Sequence, residues 1–237
     1  MRFTFEYIEA EYQALLDMGY RFVTCQDAFD QFRVEGVVNG GAPTVINRVD
    51  VDFSLVRAGR LAAIYNALGV SATFFIRLHA KEYNPFDFEN FRHLRMIQSA
   101  GHEIGYHSEI VDQAAIWDES AHTALMRDLA VMEAMLGTPM RGVASHGGLT
   151  GLNNLDFWAE HKASEFGLSY EAYQDGLMEA SRYISDSEWV RWKAYDKGHR
   201  MDDDHRSPSQ HAEEDRIPLI YLLIHPDTYY DRHIYEN

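Results

Sequence analysis

The sequence predicts an α/β fold, a parallel sheet covered by helices, and three observations carry that prediction. The stretch 45–75, VINRVDVDFSLVRAGRLAAIYNALGVSATFF, reads as strand, helix, strand. Strand-like and helix-like segments then alternate along the rest of the chain, about seven strands in all, which is the pattern of parallel sheets with helical crossovers. Third, Asp52, His107, His146 and His225 each fall at the carboxyl end of a strand, the end where α/β sheets place their chemistry. Four such residues from four strands converge on one mouth if the sheet closes into a barrel.

Residues 3–18 have helical spacing at Phe5, Ile8, Tyr12, Leu15 and Leu16 and stop at Gly19. A short strand over 20–24 and a short helix over 27–32 follow, and the Gly, Asn and Pro content of 36–43 marks a loop. The apolar run from Val45 ends in Asp50 and Asp52, which a strand's period of two puts on one side together with Arg48. Over 56–68 the apolar positions Val56, Leu61, Ile64, Tyr65 and Leu68 make an amphipathic helix that Gly69 ends. Residues 71–77 are β-branched and aromatic, as suits a strand buried on both faces. Asn84 and Pro85 break the chain before a helix over 88–99 that stops at Gly101. A strand over 103–107, a polar loop and a helix over 119–136 come next. Residues 141–145 form a strand ending in His146-Gly147-Gly148, 154–166 a helix, and 168–173 and 182–185 short strands. The charged segment 197–215 has no apolar period and is expected to be a solvated loop. Residues 217–224, the most apolar run, form a core strand that delivers His225 and Pro226. There is no internal repeat and no low-complexity segment.

The chain has 237 residues, 46% of them hydrophobic, enough for one sizeable core and read as one domain, 1–237. A formal charge of -16 argues against nucleic acid or an anionic membrane as the main partner, because both need basic surface. Cys25 is the only cysteine, so no intrachain disulfide forms. Acids stand where a signal peptide would be apolar, and no stretch of about 18 apolar residues follows. A cytoplasmic location is expected.

An aspartate and two imidazoles from different strands make a facial set of three metal ligands with positions left open. A divalent ion held there acidifies water and polarises a carbonyl. A carboxylate off the metal can take a proton, and a histidine opposite can give one. Asp52, His107 and His146 are the candidate ligands, Asp50 the candidate base and His225 the candidate acid. Each has a plainer role available: the two aspartates can cap the helix or form its turn, His146 can be a loop histidine, and His225 can hold backbone. His102 is expected to hold a loop, since its odd separation from His107 points the two to opposite faces. HEIGYH is no zincin motif, because its histidines are five apart, and Ser145 sits in no GxSxG elbow. Arg48 and Arg141 are both candidates to orient Asp50, and Trp189 and Trp192 to stack on a ring or pack internally. His79, His93, His122, His161, His199, His205, His211 and His233 read as surface or packing residues.

Over about 45–226 the chain resembles the polysaccharide deacetylase family, the NodB-homology or carbohydrate esterase family four proteins. The resemblance lies in a strand ending in two acids, then a helix, then the ATFF strand at 72–75. It continues in Gly101-His102-Glu103-Ile104-Gly105-Tyr106-His107, in Asp186 and Trp189 as a loose echo of an acid-Trp motif, and in Leu222-Leu223-Ile224-His225. It implies a distorted (β/α) barrel of about seven or eight units and metal-dependent removal of an acyl group from an amino sugar. The chain departs from the pattern where Val51 separates the two acids and where Val111 replaces the family's second histidine, a place that His146 is expected to fill.

The expected function is therefore removal of an N-acetyl or N-formyl group from an amino sugar or sugar nucleotide in surface polysaccharide biosynthesis. One divalent ion, zinc, serves as cofactor, and Arg141, Asp186 and Trp189 bind or orient the substrate. The alternatives are an allantoinase-like hydrolase of a small amide and a barrel without chemistry that serves as a binding protein.

Overall fold

The computed structural model describes residues 3–174 and 176–232; His233 lies outside them. Thr4 opens helix α1 (Phe5–Asp17) by accepting the Tyr7 amide on its side chain. Strand β1 (Arg21–Val23) leads into α2 (Cys25–Glu35), and β2 (Thr44–Val51) is buried along its whole length. Helix α3 (Leu55–Leu68), β3 (Thr73–Ile76), α4 (Phe88–Ser99) and β4 (Glu103–Ser108) repeat the strand-helix alternation. After α5 (Ile110–Trp117), α6 (Ala121–Leu136) and β5 (Gly142–Ser145) the elements shorten: α7 (Phe157–Glu160), β6 (Tyr170–Glu171), α8 (Leu177–Ala180) and β7 (Arg182–Ser185). Strands β8 (Lys193–Asp196) and β9 (His199–Met201), helix α9 (Pro208–Asp215) and β10 (Leu219–Ile224) complete the chain.

The strands form one sheet in the order β6-β5-β4-β3-β2-β10-β7-β8-β9. β1 pairs with the first half of β2, whose second half on that path pairs with β3. Every pairing is parallel except those of β8 with β7 and β9. The period of two divides the sheet into layers. Val45, Val49, Val51, Phe74, Ile76, Ile104 and Tyr106 face the helices in the main core. Ile46, Phe75, Ala144, Tyr170, Tyr183, Tyr221 and Leu223 form a second cluster on the inner face, with α2 adding Cys25, Ala28 and Phe29. The Tyr221 hydroxyl donates to the Ala172 carbonyl at 2.9 Å, which ties β10 to the chain beyond β6 although four strands separate them along the sheet. The sheet is thus the mostly parallel α/β sheet expected, and among the described residues no strand pair closes it.

The inner face is filled tightly enough to dictate two glycines. A Cβ on Gly105 would lie 2.5 Å from the Phe75 ring, and one on Gly142 would lie 2.0 Å from the Tyr170 ring.

Three segments differ from the sequence expectation. Residues 110–117 are helical, not loop: the segment is short and Glu109, ahead of it, makes no side-chain cap, so neither usual signal is present. The helix expected over 154–166 is broken, because His161 and Lys162 are extended between α7 and a following 3-10 turn. The segment 197–215 contains β9 and α9. Its charges pair with one another and with the sheet, through Arg206 to Asp204 at 2.7 Å and Arg182 to Asp215 at 2.9 Å, and His211 is buried. α9 is started by a Ser207–Gln210 capping box with Pro208 at its first position.

Glu171, at the end of β6, is fully buried. Its carboxylate accepts the Tyr173 amide at 2.8 Å, but burial outweighs that bond and the nearby Arg48 charge and pushes its pKa up to about 7, from an ordinary 4.5. Between those two values the folded chain holds the proton more often than the unfolded chain does, so stability falls as pH rises through this window. The fall amounts to about 3 kcal/mol. Glu171→Gln is expected to flatten the decline when urea unfolding is compared at pH 5 and pH 7.5, and an unchanged slope would show that Glu171 is not its source.

Candidate metal centre

β2 carries Arg48 and Asp50 on the inner face. The Arg48 Nε and Nη2 donate to the two Asp50 oxygens at 2.8 and 2.7 Å, a two-pronged pair that is buried throughout. Burial opposes ionisation of Asp50, yet the Arg48 charge, helped by His107, holds its carboxyl below the usual range. One residue past β2 stands Asp52. Ser54, not either aspartate, caps α3 by accepting the Arg57 amide at 3.2 Å. The Asp52 carboxylate is free of that duty, and its buried Oδ1 has no hydrogen-bond partner.

His107 is the fifth residue of β4. Its Nδ1 lies 2.9 Å from the Ala144 carbonyl, which can only accept, so Nδ1 carries the hydrogen there. Its Nε2 faces Asp52 Oδ1 at 3.3 Å and Asp50 Oδ2 at 3.4 Å. Burial disfavours the imidazolium, but the charges of Asp50 and Asp52 raise the His107 pKa nonetheless. His146 follows β5 directly, its Nε2 3.8 Å from Asp52 Oδ1 and its ring edge-on to that of His107. One donor atom from each of Asp52, His107 and His146 lies within 4.8 Å of the others. Two imidazoles and a carboxylate whose buried oxygen lacks a partner fit a borderline-soft divalent ion such as zinc.

His225 enters from β10 on another side, its Nε2 3.9 Å from Asp52 Oδ2. Asp186, fully buried after β7, accepts the His225 amide on both oxygens and takes its Nδ1–H at 2.6 Å. Burial works against charge on this ring, yet Asp186, with Asp52 and Asp50 behind it, raises the His225 pKa to about 9. Trp189 stacks on Phe53 with centroids 5.6 Å apart and lies 6.2 Å from the His225 ring; at 41% and 39% exposed, the two aromatic rings form part of the rim.

Asp50, Asp52, His107, His146, His225, Asp186 and Trp189 therefore meet at one mouth, and Arg141 does not. Arg141 is exposed and precedes β5 at its amino end, opposite the end that carries His146. The partner of Asp50 is Arg48, two residues earlier on the same strand face. His102 packs edge-on against Tyr65 and Phe74 in the outer layer, and Trp192 is buried, so it packs internally.

Two site residues escape the sequence reading. Arg77, just past β3, donates through Nη1 to the Asp52 carbonyl at 2.9 Å and through Nη2 to Glu109 Oε1 at 2.8 Å. Glu109, just past β4, places the same oxygen 3.1 Å from His146 Nδ1. Both stand at strand carboxyl ends, the signal that picked out the histidines. Val111, where the resembled family has histidine, gives its amide to Asn154 Oδ1 at 2.9 Å. Asn154 also holds the His146 carbonyl at 3.2 Å, and Asp112 gathers Leu149, Thr150 and Asn154, so the His146 loop is fastened to the start of α5.

The fold and site define an α/β protein with an Asp-His-His centre at the carboxyl ends of its strands. No family model and no curated protein matches the sequence. Two solved structures of a CE4 family pseudoenzyme are similar to it. The wild-type protein from Bacillus anthracis aligns at 18% identity over 78% of this chain and 55% of that one, with a TM-score of 0.46. A mutant with restored enzymatic activity aligns at 18% over 78% and 57%, with a TM-score of 0.47. The aligned region is little more than half the length of either.

Asp52→Ala and His107→Ala are each expected to abolish stoichiometric zinc binding in calorimetric titration of the metal-stripped chain, with folding checked by circular dichroism. Full zinc occupancy in either folded variant would remove that residue from the ligand set.

Proposed function

We propose that this chain is a metal-dependent hydrolase that removes an N-acyl group, acetyl or formyl, from an amino sugar or sugar nucleotide of the kind used to build surface polysaccharides. The observation that carries the reading is the meeting of Asp52, His107 and His146 within 4.8 Å, with Asp50 beside the His107 ring and His225 beside the Asp52 carboxylate. An ion bound there supplies Lewis acidity, acidifying water and polarising the acyl carbonyl. Asp50 stays ionised under the Arg48 charge, and its Oδ2, beside His107 Nε2, takes the proton of the attacking water. Arg48 grips both Asp50 oxygens and so fixes the direction in which that proton leaves. His225, held protonated against Asp186, gives its Nε2 proton to the departing amine as the C–N bond breaks. The products are a carboxylic acid and an amine, which leave as carboxylate and ammonium once the acid's proton passes to the amine, and the proton taken by Asp50 balances the one lost from His225. Phe53 and Trp189 offer the sugar ring an apolar face at the rim. Among the described residues no helix is long and apolar enough to cross a membrane, and a lone buried Cys25 suits a reducing compartment such as the cytoplasm.

The test is a panel of N-acetyl and N-formyl amino sugars and sugar nucleotides set against small ureides, with the zinc-loaded chain and acetate or formate release as readout. Turnover of the sugars is expected. Turnover of ureides alone would move the substrate to a small amide, and a chain that binds no zinc at all would be a binding protein, the reading that Val51 and Val111 favour. Asp50→Asn is expected to keep its zinc and lose about 10²–10⁴-fold in kcat; wild-type turnover in this variant would mean that another group is the base.

A further inference from the structure

We infer that Glu109 is the positioning residue of His146: anchored by Arg77, its carboxylate sets the imidazole that completes the metal-binding triad. The inference rests on the metal-centre reading above and goes beyond it, since it says how a chain with valine at 111 builds a third ligand. The amino end of α5 gives no ligand of its own and instead orients one from the neighbouring strand.

Four observations support it. Glu109 is 2% exposed, so a carboxylate has been taken out of water at a place where that is costly without partners. It precedes α5 in the capping position yet makes no side-chain cap, which leaves its oxygens for other work. Its Oε1 lies between Arg77 Nη2 at 2.8 Å and His146 Nδ1 at 3.1 Å. Arg77 also holds the Asp52 carbonyl at 2.9 Å, so one guanidinium joins the backbone of one ligand to the orienting group of another.

The consequence for His146 follows from the two nitrogens of its ring. Asn154 fixes the backbone of His146 but leaves the ring free to turn. A carboxylate beside Nδ1 favours the hydrogen on that nitrogen and the lone pair on Nε2, which looks toward Asp52. The Nδ1 contact is short but not linear, and buried Nδ1 makes no aligned hydrogen bond.

A purely structural Glu109 would do no more than neutralise Arg77, and the isosteric Glu109→Gln separates the two roles because its oxygen still accepts from Arg77 and still stands beside His146, without the charge. The full-length chain is stripped with a chelator and titrated with zinc against a chromophoric competitor. Cobalt-loaded samples are followed by visible absorption, and thermal melting reports folding. We expect Glu109→Ala to weaken zinc binding by about 10–100-fold. Glu109→Gln should lose less and show a displaced cobalt band at a wild-type melting temperature. If Glu109→Ala does not fold, the Gln variant alone carries the test. Wild-type zinc affinity and an unmoved cobalt band in folded Glu109→Gln would overturn the inference while leaving the metal centre standing. A wild-type chain without zinc affinity would remove the metal centre itself, and the role of Glu109 with it.

Discussion

Two carboxylates two residues apart, both withdrawn from water at the end of a fully buried strand, set the terms for everything around them. A buried charge persists only where it is paired. Asp50 is answered in full by the fork of Arg48. Asp52 has no arginine on its carboxylate; three imidazoles turn their Nε2 atoms to it instead, at 3.3, 3.8 and 3.9 Å. A carboxylate that draws histidines from β4, β5 and β10 is a place short of positive charge, and a divalent ion supplies it more compactly than protonated rings do.

The sheet makes that arrangement possible. Parallel strands bring their carboxyl ends to one side, and each of β2, β3, β4, β5, β7 and β10 contributes a polar residue there, while aromatic residues fill the inner layer beneath. Positioning groups then divide the work. Ala144 fixes the tautomer of His107, Asp186 the orientation and charge of the His225 ring, and Arg48 the direction of Asp50. His146 follows β5 directly with its amide on the Ser108 carbonyl at 2.9 Å, and the loop beyond it is held by the clasp of Asp112 and Asn154.

Much of this was legible in the sequence because it follows short periods. Arg48, Asp50 and Asp52 are spaced by two in an apolar run, and β4 is announced by the GHEIGYH segment that delivers His107. The strand ends point to His146 and His225, and the resemblance points to both as well. What remained hidden depends on contacts that no period encodes. The choice of Arg48 over Arg141 as the partner of Asp50 is settled by β5 running its carboxyl end toward the mouth and leaving Arg141 at the other. Arg77 and Glu109 meet only because β3 and β4 are neighbours in register, Thr73 beside Glu103 through Ile76 beside Tyr106. The charges of α9 look solvated in sequence and hide its helix, whereas Arg182 and Arg206 draw them against the sheet.

The central claim is that one ion sits among Asp52, His107 and His146. Zinc-soaked crystals measured on both sides of the zinc absorption edge test it most directly. The account predicts a single strong anomalous peak within about 2.0–2.2 Å of one oxygen of Asp52 and one nitrogen of each histidine. A peak bound elsewhere, or none at full zinc loading, would contradict it.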